Sequence, residues 1–182
     1  MTFKLRSPKF QISTSAQREI CRALGNIGVM RWSNAENVFR YDALRDLSDM
    51  RMIETRKTII NGKVENIINL TKKGKDYTRR YLVYGSLYKR SGYQVGHDLA
   101  LSEIYLKCSQ KERKTWLNDA AVKGYIAGRF GGNYEAIDGG YIDKNGEFVG
   151  VEIFTSSYTQ SDIQAKNRTL AECCGRAVTG RE

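Results

Sequence analysis

Apolar residues near the start of the chain recur with the spacing of an amphipathic helix. Ile20, Ala23, Leu24 and Ile27 lie at positions i, i+3, i+4 and i+7, which places their side chains on one face of an α-helix. A Thr or Ser precedes this run and Gly28 follows it, and both residue types are typical of helix ends. The pattern therefore predicts one helix in the segment TSAQREICRALGNIG.

The next stretch predicts two more helices and a β-hairpin. The run SNAENVFRYDALRDLSDMRMI is typical of a short capped helix followed by a second helix, in which Leu44 and Leu47 face inward. Two β-branched runs then flank Asn61-Gly62, a dipeptide favoured in type I′ turns because both central residues need a positive φ. With a further helix in LTKKGKDYTRRYLVYGSLYKR, the order is that of a winged helix-turn-helix domain over residues 1–91.

Residues 92–182 combine a helical region with a second predicted hairpin. The stretch VGHDLALSEIYLKCSQKERKTWLNDAAVKG looks helical, whereas two extended runs flank the turn Lys144-Asn145-Gly146-Glu147. The polar segment YTQSDIQAKNRTLAECC predicts a last helix. Helix, β-hairpin and helix in this order are expected of an α/β nuclease-like core, so the fold class predicted for the whole chain is α+β.

The formal net charge of +10 is confined to the first half of the chain. Residues 1–91 hold 19 Lys or Arg against 8 Asp or Glu, a net charge of +11, while residues 92–182 hold 11 against 12, a net charge of −1. A basic half of this kind suits a polyanion, and we expect double-stranded DNA as its partner. The alternative is a winged helix that pairs with a protein and whose charges are merely solvated.

In the DNA-binding interpretation, a recognition helix at residues 40–51 lies near the major groove, and the wing meets phosphate or the minor groove. The candidate DNA-binding residues are Arg40, Tyr41, Arg45, Arg51, Arg56, Lys57, Lys63, Lys72 and Lys73.

The sequence shows no signal for a membrane or a zinc site. It lacks an apolar run of the roughly 18 residues needed to span a bilayer, and its start lacks the apolar core of a secretory signal. Its four cysteines have no CxxC spacing, so reduced thiols are expected. We therefore expect a cytoplasmic protein without membrane contact.

Two acidic residues stand at the ends of the second hairpin. Asp138, near the start of one strand, and Glu152, on the next, resemble the acid pair of PD-(D/E)XK nucleases. That resemblance implies a nuclease-like domain over residues 92–182 in which the two carboxylates bind Mg²⁺ and a Lys helps to activate water. Phe154 stands where the pattern places this Lys. We therefore expect an inactive site without cofactor, unless Lys166 on the following helix supplies the missing cation.

A structural alternative gives the acids no chemistry. Asp138 then caps the Gly-Gly turn, and Glu152 pairs with Lys123 or Arg129 on the sheet surface. His97 is in that case a residue of the helix start.

The combination of parts resembles one protein family. A winged helix followed by GHDLALSEIYL and AIDGGYIDKNGEFVGVEI is similar to the replication-relaxation family. This similarity implies a DNA-handling protein of a plasmid or integrative element, with a conjugation or replication protein as a further partner.

These observations are compatible with three functions. The preferred one is a DNA-binding accessory or regulatory protein of a phage, plasmid or integrative element. The alternatives are an anti-CRISPR inhibitor that binds an RNA-guided CRISPR nuclease and DNA, and a Mg²⁺-dependent endonuclease or nickase. The apolar segment YLVYGSLY, residues 81–88, either bridges the two halves, which we prefer, or serves as the helix of a homodimer.

Overall fold

The computed structural model describes residues 14–60, 62–83, 86–89 and 94–181, and within these ranges the chain is a mixed α+β protein with eight helices and two sheets. The elements, in chain order, are α1 (Ser15–Ile27), β1 (Met30–Arg31), α2 (Trp32–Val38), α3 (Tyr41–Asp49), β2 (Ile53–Ile60), β3 (Lys63–Leu70), α4 (Lys72–Tyr81), α5 (Val95–Lys107), α6 (Gln110–Lys114), β4 (Leu117–Asn118), α7 (Asp119–Phe130), β5 (Gly139–Ile142), β6 (Phe148–Phe154), α8 (Gln160–Cys173) and β7 (Arg176–Arg181).

The first predicted helix is confirmed as α1. Thr14 caps it, because its hydroxyl accepts a hydrogen bond from the Gln17 amide while the Gln17 side chain reaches back to the Thr14 amide. Gly28 ends the helix at φ 76°, a conformation that glycine adopts without strain. The four predicted inward residues are all buried, so the periodicity identified the correct face.

The first predicted hairpin is confirmed as β2 and β3. The two strands pair antiparallel from Ile53 opposite Leu70 to Ile60 opposite Lys63. Gly62 has the positive φ of 76° that the predicted turn requires, while Asn61 lies outside the described residues. The short β1 adds a third strand, and the sheet has the order β1-β3-β2.

The second sheet has the order β4-β5-β6-β7. Its central pair, β5 and β6, is the second predicted hairpin and is antiparallel. The Asp143 carboxylate accepts hydrogen bonds from the Asn145 and Glu147 amides and so holds the turn between the strands. Helix α8 then crosses to β7, which runs parallel to β6.

Two features of the second half differ from the sequence-based expectation. The helical region after residue 94 is interrupted, because Ser109 caps α6 and Asn118 caps α7, so that three helices and the short β4 replace a continuous stretch. A final strand, β7, follows the predicted last helix. Its residues alternate between exposed and half-buried, so it carries no apolar run from which a strand is predicted.

The two halves share one hydrophobic cluster. It contains Leu24 and Leu47 from the first half together with Tyr105, Trp116 and Val151 from the second. Leu82 and Tyr88 of the segment 81–88 pack against the same cluster. The described part of this segment therefore contacts the core that both halves build.

Polar contacts also join the halves. Buried Arg113 donates to Glu19 from Nε at 3.1 Å and from a terminal nitrogen at 2.8 Å. The Asn118 side chain donates to the Ser86 carbonyl at 2.7 Å. In the part of the chain that the structure describes, no helix has both the length and the apolar character to cross a bilayer.

Candidate functional site

A buried charge cluster lies where α5, β5, β6 and α8 meet, and we define it by His97, Asp98, Asp138, Glu152 and Lys166. The first turn of α5 supplies His97 and Asp98, the residue before β5 is Asp138, the middle of β6 supplies Glu152, and α8 supplies Lys166. Asp98 and Glu152 have no exposed surface. Charged residues are rarely buried without partners, so their contacts decide what the cluster can do.

The two predicted acids are brought together by a reciprocal pair of hydrogen bonds. The Asp138 amide donates to Glu152 Oε2 at 3.1 Å, and the Ile153 amide donates to Asp138 Oδ2 at 2.7 Å. This arrangement follows from the antiparallel pairing of β5 with β6, which sets Gly139 opposite Val151. The Asp138 side chain therefore closes the end of the β5–β6 ladder instead of capping the Gly-Gly turn.

Lys166 is the cation beside Glu152. Its Nζ lies 3.0 Å from Glu152 Oε1 and also donates to the Ala136 carbonyl, while the Tyr158 hydroxyl donates to the same Oε1 at 3.2 Å. The alternative pairing of Glu152 with Lys123 or Arg129 on the sheet surface is wrong, because Glu152 lies inside the molecule.

His97 holds the other acid. Its Nε2 lies 3.0 Å from Asp138 Oδ2, and its Nδ1 lies 3.5 Å from Asp98 Oδ1. Asp98 in turn accepts a 2.7 Å hydrogen bond from the Tyr88 hydroxyl. Tyr88 precedes α5 and donates its amide to the Gly25 carbonyl of α1, so the charge cluster is connected to the first half of the chain.

Two groups of the cluster have shifted pKa values, which favour the neutral form of Glu152 and the charged form of His97. Burial raises the pKa of Glu152, and the nearby Asp138 raises it further, to about 7, although Lys166 opposes both effects. Burial by itself lowers the pKa of His97, but its hydrogen bonds to Asp138 and Asp98 outweigh burial and raise this pKa to about 10. Two cationic side chains thus face three carboxyl groups, and Glu152 takes up a proton at a higher pH than an exposed glutamate does.

Three carboxylate oxygens of the two predicted metal ligands accept hydrogen bonds. Asp138 Oδ2 accepts from Ile153 and His97, and both oxygens of Glu152 accept hydrogen bonds. Mg²⁺ requires near-octahedral oxygen coordination, and an ion here would compete with His97 for Asp138 Oδ2 and with Lys166 for Glu152 Oε1. Among the described residues no group of three His, Cys, Asp or Glu side chains is arranged to hold a metal. A Mg²⁺ ion bound to these two acids would therefore have to displace His97 and Lys166 from the carboxylates.

A second candidate site is the basic surface, which we define as the nine candidate DNA-binding residues named above. Arg40 is the residue before α3, Tyr41 begins the helix, and Arg45 lies on its exposed face. Tyr41 is 58% exposed and packs edge-to-face against Trp32. Arg51 follows the helix with φ 53° and is exposed. This side of α3 therefore presents cations and an aromatic ring to solvent.

The hairpin contributes further exposed cations, which lie on both of its faces. Arg56 and Lys57 lie on β2 and Lys63 on β3, all with exposed side chains. Arg56 is paired with Glu54 at 2.6 Å, as Arg40 is paired with Asp42 at 2.6 Å. Such exposed pairs are weak, so both guanidinium groups can exchange their partner for a phosphate.

The two lysines at the start of α4 differ in their environment. Lys72 is exposed, whereas Lys73 is half-buried and donates from Nζ to the Met50 carbonyl at 2.7 Å. Lys73 thus helps to hold the carboxyl end of α3, where Met50 is the capping residue. Its contribution to a DNA contact requires that this hydrogen bond be given up.

Comparison with models of protein families, with curated proteins and with solved structures finds no match to this chain. The geometry of the two sites is therefore the basis for assigning a function.

Sequence reasoning missed His97 and Asp98 as members of the charge cluster, and Tyr158 as a hydrogen-bond donor to it. His97 and Asp98 stand at a predicted helix start, where a polar residue is ordinary, and Tyr158 lies in a loop. One signal was present. Glu152 interrupts the otherwise apolar run FVGVEIF, and a carboxyl group in such a run needs buried partners.

Proposed function

We propose that this protein binds double-stranded DNA through its basic surface, as a cytoplasmic accessory or regulatory protein of a phage, plasmid or integrative element. The observation that carries the proposal is the exposure of cations on both α3 and the β2–β3 hairpin, within a half of the chain whose net charge is +11. Phosphate contacts by Lys and Arg supply most of the affinity of proteins for duplex DNA.

The arrangement of the first half supports a winged helix-turn-helix. Its elements follow the order α1-β1-α2-α3-β2-β3, and β1 pairs with β3 to complete the small sheet. In such a domain the second helix of the turn enters the major groove, and the hairpin contacts the backbone or the minor groove. In this proposal α3 is the recognition helix, and Arg45 and Tyr41 are its groove-facing side chains.

The second half supports a PD-(D/E)XK-like frame that has lost its chemistry. Two observations support this proposal: the β5–β6 hairpin sets Asp138 beside Glu152, and a helical crossover leads to the parallel strand β7. The resemblance to such nucleases and to the replication-relaxation family implies an acid pair of this kind. We propose that this half works without a metal, because His97 and Lys166 supply the positive charge beside the two carboxylates that a metal ion would otherwise supply. It then acts as a scaffold or as a surface for a partner protein.

The test is salt-dependent binding of a duplex by the full chain. We expect a mobility shift whose affinity falls steeply with salt. Arg45→Ala and Lys57→Ala should each reduce the log–log salt slope by about 0.9 per lost phosphate contact. Lys123→Ala, which removes an exposed lysine from α7, is the matched control and should leave the slope unchanged. Equal slopes in all four proteins, or no shift at low salt, contradict the proposal.

A Mg²⁺-dependent endonuclease is the second candidate, because Lys166 lies 3.0 Å from Glu152 and so offers the cation that Phe154 fails to provide. Supercoiled plasmid incubated with the protein and Mg²⁺ distinguishes the two functions. Cleavage that disappears in Asp138→Ala and in Lys166→Met supports the enzyme. An intact plasmid together with a salt-sensitive shift supports the binding protein.

A further inference from the structure

Two aliphatic side chains are exposed together near the tip of the β2–β3 hairpin. Ile59 is 74% exposed and Val64 is 68% exposed, and they face each other directly across the two strands. The other large hydrophobic residues that are exposed within the described ranges are aromatic. Single exposed apolar residues are common on protein surfaces, and a β-branched cross-strand pair also stabilises a hairpin, but here both side chains stay open to solvent.

The neighbouring pair on the same face is polar and suited to DNA. Side chains alternate between the faces of a strand, so Lys57 and its partner Asn66 stand beside Ile59 and Val64 on one face. All four side chains are exposed. Lys and Asn are among the residues that read the minor groove, and apolar residues inserted between base steps are their usual companions in proteins that bend DNA.

The same face is directed toward the recognition helix. Nearer its base it carries Ile53 and Leu70, which are buried in the cluster that contains Leu44 and Leu47 of α3. The apolar pair therefore extends past the region in which the face is covered. When α3 lies in the major groove of a duplex, this end of the hairpin faces the adjacent minor groove.

The opposite face of the hairpin is supported by the second half of the chain. Ile67 packs with Val29 and with Leu99 of α5 in a small buried cluster. Arg31 pairs with Glu65 of β3 at 3.4 Å and also with Glu103 of α5. Because packing holds the hairpin base on both sides, its tip can transmit force to a bound duplex.

We propose that the hairpin tip enters the minor groove and that Ile59 and Val64 wedge between adjacent base pairs, which kinks the duplex. This inference rests on the proposed binding of duplex DNA and adds its mode. Lys57 and Asn66 then contact phosphate and base edges beside the wedge. Kinking occurs most readily at pyrimidine–purine steps such as TA, which unstack more easily than other steps.

The experiment measures end-to-end energy transfer in a duplex of about 30 base pairs that carries a dye at each end and a central TA step. We expect the full chain to bend this duplex by about 20 to 90° and so to increase the transfer efficiency. The double variant Ile59→Ser, Val64→Ser should abolish the increase, yet it should keep the salt slope of binding because no charge is removed. Ile59→Leu should retain bending, and Phe130→Ser, which removes another exposed apolar side chain from α7, serves as the control.

The outcomes separate the wedge from the binding function. Salt-dependent binding without bending, or equal bending by the Ser variant, overturns the wedge and leaves DNA binding intact. Absence of salt-dependent binding overturns both. Sedimentation of the free protein provides the remaining check. A dimer that dissociates in the Ser variant, with no bending by the wild type, assigns the pair to a protein interface and overturns the wedge.

Discussion

Replacing Lys166 by Met tests whether the Lys166 ammonium group stabilises the buried Glu152 carboxylate. The substitution keeps most of the aliphatic stem and removes the ammonium group that lies 3.0 Å from Glu152 Oε1. Glu152 has no exposed surface, so water cannot replace the lost partner. Breaking one side of a buried ion pair typically costs about 3–5 kcal/mol when the remaining charge cannot be neutralised.

The cost of this substitution depends on pH because Glu152 can take up a proton. Its pKa is raised from 4.5 to about 7, so the folded protein holds a proton that the unfolded chain releases. Its contribution to stability therefore decreases as the pH rises from about 4.5 to about 7, by about 3 kcal/mol at about 1.4 kcal/mol per pKa unit. Without Lys166 this pKa rises further, and the decrease continues above pH 7.

Urea unfolding followed by tryptophan fluorescence at pH 5 and pH 8 measures the effect. We expect Lys166→Met to lose about 3 kcal/mol at pH 8 and much less at pH 5, where Glu152 is protonated in both proteins. Adding Glu152→Gln should remove this pH dependence, and the exposed Lys123→Met should change stability by less than about 0.5 kcal/mol at either pH. Equal losses at the two pH values, or no effect of Glu152→Gln, would refute the assigned role of Lys166.

Three further predictions concern stability. The pKa of His97 is raised from 6.5 to about 10, so its stabilising contribution is complete below pH 6.5 and is lost as the pH rises through 10. Calorimetry should show a melting temperature that falls between pH 7 and pH 10, and this fall should be smaller in His97→Gln. Arg113→Met removes the buried guanidinium that joins the halves and should lower the unfolding free energy by about 3 kcal/mol. Circular dichroism and fluorescence should both show a single unfolding transition. Two separated transitions would contradict a core shared by the two halves. Gly74→Ala places a Cβ 2.0 Å from a backbone oxygen and should lower the unfolding free energy measured by urea titration by about 2 kcal/mol. Gly128→Ala, whose Cβ would have nothing within 4 Å, should raise this free energy by about 0.5–1 kcal/mol.

The parts of the fold that the sequence predicts are those determined by local chemistry. The Asn-Gly dipeptides before Lys63 and after Lys144 predict both hairpins, because few residue types adopt the positive φ that Gly62 and Gly146 have here. The capped apolar stripe of α1 places the first helix in the same way. These signals act within a few residues and do not depend on the rest of the chain.

The members of the charge cluster depend on tertiary structure instead. His97 and Asp138 are 41 positions apart, and they meet because α5 packs on the sheet that contains β6. The sequence supplied Asp138, Glu152 and Lys166 as candidates through their resemblance to a known pattern, but no local signal connects His97 with them. Strand β7 escaped prediction for a related reason, since its stability comes from pairing with β6 and not from its own apolar residues.

The shared hydrophobic cluster has a consequence for synthesis of the chain on the ribosome. Leu24 and Leu47 emerge early, but Tyr105 and Trp116, which belong to the same cluster, follow several seconds later, at about 5–20 residues per second. During this interval the basic half carries its charges on an unfinished core. We therefore expect the nascent first half to lack a fixed DNA-binding shape, so that a chain interrupted before Trp116 yields no competing, partly functional DNA-binding fragment.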